Sequence, residues 1–170
     1  QVVIHDDADL AVTIPQLSLA KMRNGGAACT SANRIFVQRG IADKFIAEMT
    51  KSMSSYVMGR GTEATTTLGA YVSMKERNKI ADIVDESIAA GAKVEVGGVK
   101  PEGIGAFYPA TVLVVKKDNP ILLHEIFGPV APIVIFDTDE EGIEMANDTE
   151  FGLISYVFSS NLTRALRTAE

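Results

Sequence analysis

The chain has 170 residues, enough for one domain with a hydrophobic core of its own. Hydrophobic residues make up 46% and charged residues 22%, too apolar a balance for intrinsic disorder. A net charge of -6 excludes general affinity for nucleic acid or anionic membrane, both of which would repel it at long range.

Val2 to Ile4 read as a short apolar strand. The acidic cluster Asp6, Asp7 and Asp9 suits a helix start, where carboxylates meet the positive end of the dipole, and a helix is expected from about Asp9 to Met22. Pro15 interrupts that pattern and is expected to kink the helix or end its first part. Arg34 to Gln38, RIFVQ, is β-branched and aromatic and predicts a strand. Ala42, Phe45, Ile46, Met49, Met53 and Val57 then recur at three- and four-residue steps, the spacing of one helix face.

Ser73 to Glu76 has the spacing of a capping box, with Ile80, Ile83, Val84 and Ile88 behind it as a second amphipathic helix. Gly91 ends that helix, Lys93 to Val96 predicts a strand, and Gly97 to Gly105 is a glycine-rich loop. Val112 to Val115 and Ala131 to Phe136 are further apolar strands, separated by LLHEIFGP, Leu122 to Pro129. Thr138 to Glu141 repeats the capping-box spacing ahead of a helix ending near Asn147. Ile154 to Phe158 is the last strand, and Asn161 opens the last helix. Strands alternating with helices predict an α/β fold, a mainly parallel sheet with helices on both faces.

No apolar run approaches the roughly 20 residues of a membrane helix, so no membrane partner is expected. The single cysteine, Cys29, cannot form an internal disulfide, and a cytoplasmic location is expected. Two glycosylation-type triplets, at Asn147 and Asn161, carry no weight without a secretory segment ahead of them. One cysteine and two distant histidines, His5 and His124, make no metal-ligand cluster, and Gly103-Ile104-Gly105 lacks the third glycine of a dinucleotide fingerprint.

The chemistry concentrates in RNGGAACTSANR, Arg23 to Arg34. A lone cysteine is more often a small buried hydrophobe than a nucleophile. Here Gly25, Gly26, Ala27 and Ala28 clear space around it, as attack on a bound carbonyl requires, and a thiolate adds to an aldehyde to give a thiohemiacetal whose oxyanion a backbone N–H can stabilise. Glu125 and Phe127 put a carboxylate and a ring two residues apart ahead of the turn Gly128-Pro129, although periodicity alone favours a packed phenylalanine and a solvated glutamate. A Cys29–His124 pair of the cysteine-hydrolase kind is chemically open but lacks an evident orienting residue.

Three motifs in order carry a resemblance to the aldehyde dehydrogenase superfamily along essentially the whole chain. They are Asn24-Gly25-Gly26-Ala27-Ala28-Cys29 with Arg34 behind it, Glu125-Ile126-Phe127-Gly128-Pro129, and Asn147 through Phe151-Gly152-Leu153. The resemblance implies the catalytic-domain fold of that family and a nucleophilic Cys29 that attacks the aldehyde, yields hydride to NAD or NADP and is freed from a thioester by water. It implies that Glu125 binds the nicotinamide ribose and Phe127 packs beside the nicotinamide ring, with Asn147, Gly152 and Leu153 shaping a nearby turn. A narrower likeness, in Arg23 and in the phrases ANRIFVQ and ANDTEFGL, is to succinate-semialdehyde dehydrogenases, where the arginine holds the substrate's free carboxylate. Guanidinium suits that task because it stays charged and offers a fork of donors; a lone arginine otherwise serves a surface salt bridge.

Two departures stand out. Ala27 replaces the family's glutamine or glutamate, and Thr30 and Ser31 supply no second cysteine for a disulfide switch. The resemblance also places the general-base glutamate just upstream of Val2 to Asp9, outside these residues. Residues 1–170 are therefore expected to be the thiol-bearing catalytic domain, lacking the nucleotide-binding domain and oligomerisation strand of a protein that forms homo-oligomers, and to be inactive alone. The rival from another class is a non-catalytic α/β assembly module with Cys29 buried and passive.

Overall fold

A computed structural model describes residues 1–170. The elements run β1 (Val2–Ile4), α1 (Leu10–Met22), β2 (Ile35–Gln38), α2 (Arg39–Ser54), α3 (Met74–Ala89), β3 (Lys93–Val96), β4 (Thr111–Val114), β5 (Val130–Phe136), α4 (Asp139–Asn147), β6 (Tyr156–Phe158) and α5 (Leu162–Ala169), with 3₁₀ turns at Arg23–Gly26 and Pro120–Leu123. The strands form one sheet in the order β3-β4-β5-β2-β1-β6, parallel except for β3, which pairs antiparallel with β4. The first and last strands are neighbours, Val2 opposite Tyr156 and Ile4 opposite Phe158.

Alternation along the strands produces two core layers. Val2, Ile4, Ile35, Val37 and Ile133 join Leu17 of α1 and Phe45, Met49 and Met53 of α2 on one face. Val3, Phe36, Val134 and Phe136 join Ile80 and Val84 of α3 on the other, where Met145 and Ala146 of α4 also pack. Both faces of the sheet are covered at its centre, which is why β1, β4 and β5 read as largely apolar runs while the edge strand β3, KVEV, does not.

The caps fall where the sequence put them. The Asp9 carboxylate accepts from the Ala11 N–H at 2.9 Å, Ser73 from Glu76 at 3.2 Å, Thr138 from Glu141 at 3.3 Å and Asn161 from Arg164 at 3.1 Å. Gly91, at φ 93°, closes α3 in the left-handed conformation.

Three expectations need correction. α1 runs through Pro15 without a break. Pro15 and Ala11, whose carbonyl it leaves unserved, both face solvent, where water replaces the lost donor. Val57 lies beyond the end of α2 and is 49% exposed, and Ile88, in the last turn of α3, is on the rim of its apolar face rather than inside it. The strands β2 and β6 begin at Ile35 and Tyr156, because Arg34 and residues 154–155 belong to the cleft described next.

Candidate active site

α1 ends in a backbone reversal that no ordinary sequence would hold. Asn24, Gly25 and Gly26 take positive φ of 53°, 63° and 80° in succession, and Asn24 fixes the turn by donating its side-chain amide to the Ala27 carbonyl at 3.0 Å. A Cβ on Gly26 would overlap the Gly128 carbonyl, so the cysteine loop lies directly on the Glu125–Pro129 turn.

Beyond the reversal Cys29 is exposed. Its backbone N–H makes no hydrogen bond within the chain and is free to meet an oxyanion. The three following residues are each tied down. The Tyr156 hydroxyl donates to the Thr30 carbonyl at 3.0 Å, Ser31 donates to the Lys21 carbonyl at 3.2 Å, and Lys21 Nζ donates to the Ala32 carbonyl at 2.9 Å.

Cys29 opens into a cleft of about 450 Å³ at the amino ends of β1, β2 and β6. Its wall includes Ser31, Asn33, Arg34, Glu125 and Asn147, and Glu125 is its one carboxylate. The Glu125 side chain is exposed and has no partner within the chain. Arg34 is largely buried, donates from Nε to the Leu122 carbonyl at 2.6 Å, and stacks 5.3 Å from the Phe151 ring centre. Burial pushes its guanidinium pKa down, against the attraction of Asp148.

Cys29 and Glu125 are thus brought together across 96 residues of sequence, with Asn147, Gly152 and Leu153 in the same wall. Arg23 and Phe127 are not among the lining residues. Arg23 is exposed at the start of the reversal and forms no salt bridge, so its charge is uncommitted. Phe127 is 38% exposed and holds φ at 50°, a left-handed value that a non-glycine residue keeps only where its surroundings enforce it.

The two rival readings fare differently from that pairing. His124 lines another depression with Lys75, Lys79 and Asp82, its Nε2 4.0 Å from Glu86, and shares no wall with the thiol. The cysteine-hydrolase pair is not assembled. A buried, passive cysteine is likewise contradicted, since Cys29 is exposed in a cleft. No group of three or more His, Cys, Asp or Glu side chains is arranged to hold a metal.

Sequence reasoning missed Lys21 and Tyr156, the residues that clamp the cysteine loop. Their partners are backbone carbonyls, which leave no residue-type signal.

The family model described as "Aldehyde dehydrogenase family" matches residues 1–170. The chain is 40% identical over 169 residues to a succinate-semialdehyde dehydrogenase of Paenarthrobacter nicotinovorans, covering 99% of this chain and 38% of that protein. It is 38% identical over 170 residues to a glutarate-semialdehyde dehydrogenase of Pseudomonas aeruginosa, covering 99% of this chain and 35% of the relative. The crystal structure of lactaldehyde dehydrogenase from Escherichia coli superposes with a TM-score of 0.95 at 34% identity, over 99% of this chain and 36% of that one. The chain therefore spans little more than a third of the length of these relatives. With the family's model matched from Gln1 to Glu170 and its solved members sharing the fold around the cysteine cleft, the chain belongs to the aldehyde dehydrogenase family.

Proposed function

We propose that the protein oxidises a semialdehyde carboxylate, succinate semialdehyde foremost, to the dicarboxylate with NAD or NADP, and that residues 1–170 are its thiol-bearing catalytic domain. The observation that carries the reading is the exposed Cys29 thiol in a cleft shared with Glu125. The Cys29 thiolate adds to the aldehyde carbon, and the electron pair of the carbonyl moves to oxygen as a thiohemiacetal forms. The free Cys29 N–H stabilises that oxyanion. Loss of hydride from the same carbon leaves a thioester, and water then releases the acid and restores the thiol.

Glu125 and Phe127 fit the nicotinamide half of the cofactor: one offers an unpaired, exposed carboxylate for ribose hydroxyls, the other an exposed ring for a flat heterocycle. When bound, the cofactor supplies the hydride acceptor. The general base, which the family resemblance sets just upstream of Val2, would approach from the Gln1 side, and Gln1 lines the cleft.

Arg23 is the candidate for the substrate's carboxylate, because its guanidinium is exposed and unpaired whereas that of Arg34 is committed to Leu122 and Phe151. The names of relatives favour the same class: two act on semialdehydes that end in a carboxylate.

The deciding experiment assays the full-length protein against succinate semialdehyde, glutarate semialdehyde and lactaldehyde with both cofactors, beside Cys29→Ser and Arg23→Leu. Cys29→Ser is expected to abolish turnover. Arg23→Leu is expected to raise KM roughly tenfold or more for the semialdehydes and to leave uncharged lactaldehyde unchanged. Turnover that survives Cys29→Ser rejects the thiol; equal effects on charged and uncharged aldehydes reject Arg23.

A further inference from the structure

Lys21 is fully buried, yet no carboxylate neutralises it. Its Nζ has one partner, the Ala32 carbonyl at 2.9 Å, eleven residues along the chain and three beyond Cys29. Its own carbonyl receives the Ser31 hydroxyl at 3.2 Å. One residue therefore holds the cysteine loop twice on the far side of the thiol, while the positive-φ reversal at Asn24 to Gly26 fixes the near side. An ammonium group offers three donors and here meets one acceptor, a poor arrangement for stability alone, since an apolar side chain of the same length would bury at less cost.

We propose that Lys21 is a positioning residue for the Cys29 nucleophile, its Nζ–Ala32 tether setting where the thiol stands. The inference rests on the reading of Cys29 as a nucleophile. Lys21 does not line the cleft, so it acts on the loop and not on the substrate.

The tether also changes with protonation. A charged donor binds a carbonyl more strongly than a neutral amine, and desolvation brings the Lys21 pKa down to about 7. No charged side chain of α1, α2 or the cysteine loop contributes to that shift, burial being its only cause. The titratable groups held to the same loop are Cys29 and Tyr156, whose hydroxyl donates to Thr30. The loop is thus held most firmly when Lys21 carries its proton and loosens as the proton leaves.

The test is acylation of Cys29 by p-nitrophenyl acetate in the full-length protein, followed from pH 6 to 9 by the initial burst. Lys21→Met is expected to keep the fold by circular dichroism, to slow the burst roughly ten- to a hundredfold, and to leave KM for the aldehyde within about twofold. Lys21→Arg, which keeps a donor, is expected to recover part of the rate. The wild-type burst is expected to show an ionisation near neutrality that is absent in Lys21→Met. A folded Lys21→Met that acylates within about twofold of wild type, with the same pH profile, overturns the proposal. Should Lys21→Met not fold, Lys21→Gln decides in its place: a folded Lys21→Gln with a burst slowed roughly tenfold or more supports the tether, and one within about twofold of wild type overturns it. Because the probe is an ester, Lys21 is judged apart from the aldehyde reading, which fails separately if Cys29→Ser still oxidises aldehydes.

Discussion

Gly26 and Gly128 lie backbone against backbone, and a side-chain carbon on Gly26 would occupy the place of the Gly128 carbonyl. This contact locks the cysteine loop to the turn that carries Glu125 and Phe127, so the thiol and the carboxylate hold one geometry. A side-chain carbon on Gly128 would in turn overlap the Tyr71 hydroxyl and meet Ile80 Cδ1 at 3.3 Å.

Gly26→Ala is therefore expected to be severe. The substitution places a methyl in a backbone carbonyl and a side chain at φ 80°, costing about 2–4 kcal/mol in total. Urea denaturation checks the loss of stability, and ester acylation checks the displacement of Cys29. Gly25→Ala shares the positive φ but meets only Leu68 Cδ1, at 3.4 Å, and is expected to cost about half as much.

On the role proposed for Glu125 at the nicotinamide ribose, Glu125→Gln is expected to raise KM for the cofactor roughly tenfold while leaving the ester burst intact, because the amide keeps the shape but lacks the carboxylate's charge. Steady-state kinetics with varied cofactor reads the first effect. An unchanged cofactor KM together with slow thioester hydrolysis would instead make Glu125 the base, as the cleft's one carboxylate.

Lys21 makes stability depend on pH. Its folded pKa of about 7 lies below the ordinary lysine value of 10.5, so the unfolded chain binds more protons between the two and stability rises with pH across that window. Below pH 7 the burial cost is present in full, up to about 5 kcal/mol by the linkage relation. Chemical denaturation at pH 7 and 9.5 is expected to show wild type gaining stability relative to Lys21→Met. Tyr71 and Tyr108, whose hydroxyls burial pushes up, act in the opposite sense only above pH 10.

α5 has no buried residue and is fastened by polar contacts. Arg164 donates to Asp6 at 2.7 Å, to Gln38 at 2.8 Å and to Asp139 at 2.8 Å, joining the carboxyl ends of β1, β2 and β5 to α5. Arg164→Met is expected to cost about 1–3 kcal/mol and to bring amide exchange in α5 close to that of free peptide. Hydrogen exchange by mass spectrometry reads it directly. The same network holds the Asp139 carboxyl below its usual range, chiefly through the Arg164 bond, so its contribution is present above pH 4 and is lost as pH falls further.

Most of this architecture was legible in the residues. Apolar and β-branched runs located the strands, three- and four-residue spacing located α2 and α3, and Ser73, Thr138 and Asn161 marked helix starts to the residue. Pro15 misled because its effect depends on whether the orphaned carbonyl faces water, which periodicity does not record. The site divided in the same way. Cys29 and Glu125 were named from motifs and share a cleft, whereas Arg23 and Phe127 stand outside its wall, since short motifs do not encode the direction a side chain takes from a strained turn. Lys21 was invisible because a lysine in a last helical turn is the ordinary complement to the helix dipole.

The adjacency of β1 and β6 has a bearing on how the domain is made. Roughly 150 residues emerge from the ribosome between these strands, which at ordinary synthesis rates takes roughly 8–30 s. Until Tyr156 to Phe158 arrive, β1 has one bare edge of peptide groups, flanked by Val2, Val3 and Ile4, open to pairing with other nascent chains. Solubility during synthesis is then set by how quickly this last strand docks, and substitutions that weaken β6 would first appear as aggregation of newly made protein.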